Sequence, residues 1–252
     1  RILEAERKSG KRLMVAYMKR YDGGNLLVKE MVEKFRKSGE MGEVKFIRNH
    51  GFCGDWTAGL DTAWEKSGEP VPPAPSAKPA WMPDRFFSGY VGYLQQYTHN
   101  VNLMRWFLDA GERVKVRVVD LDGKDGYSGV VVFDIAGVRA VLESGFVAHN
   151  AWDEFTQIYF EKGWIRTDAP PLLLRNMPAG VELCRTDKGQ GTARTETFPA
   201  TGWTWSYKEE MRHFLECLRT GAPFRSPASD AMVDVRTFEE VYRVHVESQG
   251  GR

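Results

Sequence analysis

Residues 113–147, RVKVRVVDLDGKDGYSGVVVFDIAGVRAVLESGFV, decide the fold. Three runs rich in Val, Ile and Phe, at 113–121, 128–134 and 137–147, are broken by short connections built of Gly, Asp and Ala. β-Branched and aromatic residues favour strands, and the breaks carry turn formers. Connections this short exclude parallel crossovers, which need a dozen residues or more, so the runs pair as antiparallel hairpins. The spacing of Gly123, Gly126 and Gly129 falls between two strands and reads as a hairpin turn. A dinucleotide cradle needs its glycines between a strand and a helix.

The rhythm continues outward. Residues 154–160, 163–168, 171–176, 180–186 and 193–198 read as further strands, and 43–49 as an earlier one. Helices are expected at about 206–219 and 229–247. Residues 90–108 read as another helix. Leu27, Met31 and Phe35 recur every four positions and mark one over Asn25–Lys37, ending at Gly39. Six prolines within 66–84 make that stretch an irregular surface excursion. Residues 1–9 have helical composition with Gly10 as the cap, and Leu13–Met18 is a continuous apolar run suited to a strand buried on both faces. The expected fold is therefore α+β. It has a large, open, mostly antiparallel sheet with helices on one face, preceded by the last helix and strand of a Rossmann-type unit. The free sheet face should be apolar and covered by a second copy, making a homo-oligomer.

Thirty-five Lys and Arg against 34 Asp and Glu give a charge of +1, with no general attraction to nucleic acid. No apolar run approaches the ~20 residues of a membrane helix. Three scattered cysteines suit free thiols in a reducing compartment, so a cytoplasmic location is expected. His50, Cys53 and Asp55 match no standard zinc spacing, and no metal is expected. His149 and Trp152 read as interface residues. His213 and His245 read as surface residues.

Chemistry concentrates in residues 93–108. On an ideal helix Leu94, Tyr97, Val101, Met104 and Leu108 form an apolar stripe, while Gln95, His99, Asn102 and Trp106 form a second, polar one. Amides and an imidazole bond hydroxyls, indole packs on a sugar ring, and His exchanges protons near neutral pH. Polar residues sharing a helix face are more often merely solvated, so the stripe alone decides nothing.

The order of three stretches resembles the glucose–fructose oxidoreductase, inositol dehydrogenase and MocA family. They are Gly10–Asp22 (GKRLMVAYMKRYD), residues 93–108, and Phe214–Pro223 (FLECLRTGAP) followed by Ser229-Asp230 and the last helix. The resemblance implies that residues 1–22 are a remnant of a dinucleotide-binding domain and 23–252 a C-terminal substrate-binding and oligomerisation domain. It implies the substrate-binding part of an oxidoreductase acting on a sugar, polyol or sugar derivative. NAD or NADP would be bound in the intact protein and no cofactor by this chain alone, because the family's glycine-rich loop and catalytic Lys would precede Arg1. His99 becomes the catalytic acid or base, with Gln95, Asn102, Tyr17, Lys19 and Trp56 as substrate-binding candidates. The family commonly has carboxylates where this chain has Gln95 and Asn102. An amide orients an imidazole but stabilises its charged form less. That departure leaves a second reading, a shortened, non-redox sugar-binding or scaffold subunit of the same fold.

Overall fold

A computed structural model describes residues 1–55, 65, 67–70, 78–146, 152–187, 189–199 and 201–250. Eight strands form one open sheet: β1 (Val44–Cys53), β2 (Val114–Leu121), β3 (Gly129–Ile135), β4 (Val138–Phe146), β5 (Trp152–Phe160), β6 (Gly163–Asp168), β7 (Gly180–Asp187) and β8 (Thr192–Phe198). Their order is β2-β3-β4-β1-β5-β6-β7-β8, antiparallel everywhere except between β1 and β4. The α+β class and the mostly antiparallel open sheet expected from the sequence are both present.

Period-two alternation decides which face is covered. Ile47 on β1, Val131 and Phe133 on β3, Leu142 on β4, Ile158 on β5, Ile165 on β6 and Leu183 on β7 all point into the core. Against them pack α2 (Gly23–Ser38), α4 (Thr98–Phe107) and α6 (Ala228–Gly250). Asp22 caps α2 by accepting from the Gly24 and Asn25 amides, as a helix N-terminus requires. The other face departs from expectation, for it is not simply apolar. Arg48 and His50 share the Glu143 carboxylate, and the His50 ring stacks between Phe52 and Phe155 while Arg166 lies over Phe155. His50 and Cys53 therefore face opposite sides of β1, since positions three apart on a strand cannot share a face.

Three local expectations are corrected. The apolar run 13–18 forms only a bridge between Met14 and Pro227, because the segment it meets is Phe224–Pro227 rather than a strand. The chain then turns through a 3-10 helix, Met18–Tyr21. Residues 171–176 form turns, not a strand. Pro170 and Pro171 bring no N–H to a ladder, and the Leu174 amide closes back onto the Pro171 carbonyl. His245, expected at the surface, is 1% exposed against Phe86 and Tyr242.

The predicted helix 90–108 is three pieces: α3 (Asp84–Gly92), a π turn (Tyr93–Tyr97) and α4. The widened turn turns both Tyr93 and Tyr97 onto the sheet. The Tyr93 hydroxyl lies 2.6 Å from Ser144 Oγ, and Tyr97 Oη donates to the Gly145 carbonyl at 2.9 Å. At its far end α4 is locked to α6. Arg105, 1% exposed, donates to Asp234 Oδ1 at 2.5 Å and to Asp230 Oδ1 at 2.8 Å, and Asp234 is itself fully buried. Asp234→Ala removes a partner from that buried guanidinium and should lower stability by about 3–5 kcal/mol in urea unfolding. Arg117→Ala, at the exposed Arg117–Asp134 pair, should change it by less than about 1 kcal/mol.

Candidate functional site

Two segments that the sequence singled out meet beneath α4. Tyr17, just before the 3-10 turn, donates from its hydroxyl to Asp234 Oδ2 at 3.0 Å with Thr98 Oγ1 2.9 Å away. Burial first, and then the Asp234 charge, push its phenol well above the usual range, so it stays protonated. Its ring meets the His99 imidazole edge-on, centroids 5.5 Å apart. His99 itself is half-buried. Its Nδ1 is sealed without a hydrogen-bond partner, which leaves Nε2 as the nitrogen available to a ligand. Burial, and next the Lys19 ammonium, hold this imidazole well below the ordinary histidine range and therefore neutral.

Lys19 is 3% exposed and ion-paired to Glu154 of β5, which is 4% exposed. Burial lowers the ammonium's proton affinity, to a pKa of about 8. A hydrogen-bonded chain continues from the pair. Asn100 Nδ2 donates to Glu154 Oε1 at 3.0 Å and to Asn49 Oδ1 at 2.6 Å, and Asn49 Nδ2 donates to Thr156 Oγ1 at 2.7 Å. Cys53 Sγ lies 3.9 Å from Glu154 Oε2, and burial pushes its thiol up to about 11, so it stays protonated. From the other side, the Asn25 amide donates to the Lys19 carbonyl at 2.9 Å.

Of the six residues proposed from sequence, Tyr17, Lys19, His99 and Asn102 are gathered here. Asn102 is tied into structure, its Nδ2 donating to Asp234 Oδ2 at 2.7 Å and to Asp230 Oδ2 at 3.2 Å. Gln95 is not with them. Gln95, within the π turn, is exposed in a groove with Asp84, Phe87, Asp125 and Tyr127. Gln96 takes the inward place, its Nε2 3.4 Å from Cys53 Sγ. Trp56 and His149 lie outside the described residues.

Glu154, Asn100 and Asn49 were missed. A signal existed for two of them: in WDEFTQIYF, Glu154 alternates in phase with Ile158 and Phe160, and Asn49 with Ile47. A polar residue in the apolar phase of a strand marks a buried polar group.

The Gly123–Gly129 turn does not fit the phosphates of a dinucleotide. The amides that a phosphate would need in the Gly123–Gly129 turn are consumed by an acid. Asp122 accepts from the backbones of Lys124, Asp125, Tyr127 and Ser128. Among the described residues no cluster of three His, Cys, Asp or Glu could hold a metal, and no helix is long and apolar enough to cross a membrane.

No protein-family model matches the sequence, and no curated protein matches it. Solved structures do. Over 99% of its length the chain is similar to an aldose–aldose oxidoreductase from Caulobacter crescentus complexed with glycerol, at 19% identity and a TM-score of 0.63. Over 95% it is similar to a 3-ketoreductase from Actinomadura kijaniata in complex with TDP-benzene and NADP, at 15% identity and TM-score 0.59. Over 99% it is similar to an oxidoreductase from Agrobacterium radiobacter in complex with NAD+, L-tartaric acid and magnesium, at 15% identity and TM-score 0.57. The chain spans 65%, 62% and 66% of those proteins, so about a third of each has no counterpart here. What is shared is the fold, and it is the one implied by the family resemblance.

The buried pair makes a stability test. Lys19→Met alone strands the Glu154 carboxylate and should lower the unfolding free energy by about 3–5 kcal/mol. Adding Glu154→Leu removes the stranded charge and should recover most of that loss in the same thermal or urea unfolding assay.

Proposed function

We propose that this chain is the substrate-binding part of an NAD(P)-dependent oxidoreductase acting on a hydroxyl or carbonyl of a sugar, polyol or sugar derivative. The observation that carries the reading is His99, a neutral imidazole with Nε2 free and Nδ1 sealed. It is set in polar side chains on a fold shared with oxidoreductases. A neutral imidazole can take the proton of a substrate hydroxyl as its C–O bond becomes C=O, and return it in the reverse direction. Lys19, expected to bind substrate, is buried against Glu154 and braces the site from within, and Tyr17 fixes the plane of the imidazole through the ring contact. Asn102 supports the site from beneath by holding Asp234 in place.

A nicotinamide cofactor, held by residues other than those described, would supply the hydride acceptor. In this reading residues 1–22 belong to the cofactor-bearing unit and 23–252 to the substrate domain. The open face of the sheet meets a second copy through its half-buried aromatic residues Phe46, Phe52, Tyr159 and Trp164.

In the intact protein, assayed with NAD+ and NADP+ against a panel of sugars and polyols, His99→Ala should lower turnover by about 10²–10⁴-fold. The fold should be unchanged. Turnover within about threefold of wild type would remove His99 from the chemistry.

A further inference from the structure

The chain that follows α5 (Ser206–Thr220) is held back against that helix by a histidine acting as an acceptor. Nε2 of His213 takes the backbone N–H of Arg225 at 3.0 Å. The imidazole is half-buried, its ring 5.2 Å from the Tyr21 ring of the 3-10 helix. The segment it holds fastens that 3-10 helix in turn. Arg20 Nη1 donates to the Arg225 carbonyl at 2.9 Å, and Arg225 Nη1 returns a bond to the Arg20 carbonyl at 3.1 Å. Ser226 Oγ donates to the Val15 carbonyl at 2.7 Å and lies 2.8 Å from Tyr21 Oη. His213 thus sits at the root of the contacts that seat residues 15–21, the stretch bearing Tyr17 and Lys19.

A neutral imidazole accepts at one nitrogen, whereas imidazolium donates at both and accepts at neither. Gaining a proton here would therefore set one N–H against another. We propose that His213 is an acid-sensitive latch: neutral, it holds residues 222–227 against the 3-10 helix, and protonated, it lets them go. The groups around the ring offer an imidazolium little compensation. From the held segment comes the Arg225 guanidinium, which lies over the Tyr21 ring at 4.8 Å. Burial first, and then that guanidinium, lower the proton affinity of His213. From the 3-10 helix come Tyr21, kept protonated by burial, and Arg20, paired with Asp230. Arg12 donates to the carbonyls of Cys217 and Ala222. On α5 itself, the Cys217 thiol lies 3.3 Å from Nε2 and donates to the Pro223 carbonyl. Glu210, one turn earlier, is buried and pushed up to about 7 by that burial, so it loses its charge over the same fall in pH. Glu209 and Glu216 are paired with Arg212 and Arg219. A ring that must be neutral to hold contributes fully above the ordinary histidine value of about 6.5, and its contribution is lost as pH falls below that.

The test is hydrogen exchange of this chain, labelled with ¹⁵N and followed residue by residue by NMR. Protection of the Arg225 amide, taken relative to its chemical exchange rate at each pH, should fall about tenfold or more between about pH 7.5 and about pH 5. His213→Gln supplies a side-chain carbonyl that can accept the same N–H and does not titrate, so its Arg225 amide should keep its protection within about threefold. A wild-type Arg225 amide that stays protected in acid, or a Gln variant that loses as much as wild type, would overturn the proposal. Should the variant fail to fold, the wild-type ring signals decide. His213 Nε2 and the Arg225 amide proton should then move together with one midpoint below about 6.5. Two separate midpoints, or a shared one above that value, would overturn the latch as well.

Discussion

Helix α4 is clamped at two points by ionic groups, and the candidate site takes its position from that clamp. Arg105 with Asp230 and Asp234 fixes the helix to α6. Lys19 with Glu154, through Asn100, fixes it to the sheet and to the 3-10 turn. Each charge alone would be costly in this interior, and each is tolerated because a group of opposite charge faces it. His99 lies between the two clamps and takes part in neither. Its imidazole is therefore held by neighbours without being hydrogen-bonded to them, which leaves it chemically free inside a rigid frame.

The same economy governs the loops. The connection from β6 to β7 is rooted at both ends in groups that belong to the site. Ala169 N donates to the Glu154 carbonyl and Ala179 N to the Asp22 carboxylate. Asp22 in turn caps α2, whose Asn25 holds the Lys19 carbonyl. One acid thus couples a helix start, a loop end and the turn that delivers Lys19.

Most of the sheet was legible in the sequence because period-two alternation and turn residues are local signals. Residues 113–146 needed nothing from the rest of the chain. Where the reading failed, a non-local fact intervened. The apolar run 13–18 looked like a buried strand, yet whether it pairs depends on what lies beside it, and only Pro227 answers. Leu172–Leu174 resembled a strand by composition, but two prolines and the bond to Trp205 Nε1 hold it in turns. His99 was singled out by its helix stripe together with the ordered resemblance, and Tyr17 and Lys19 by the resemblance. Glu154 announced itself only as a carboxylate in the apolar phase of β5, a signal that is easy to pass over when nearby residues alternate less cleanly.

The π turn at Tyr93–Tyr97 behaves, in effect, as a helix with one surplus residue spliced in. Any comparison that counts backward from His99 by fixed steps will therefore pair the wrong side chains upstream of Tyr97. Gln95 lies in the exposed groove, and Gln96 Nε2 lies 3.4 Å from Cys53 Sγ. Insertions of this kind leave no gap in a single sequence and shift meaning without shifting length. A relative lacking the extra residue would be one position shorter here and would turn different side chains toward the sheet and the groove.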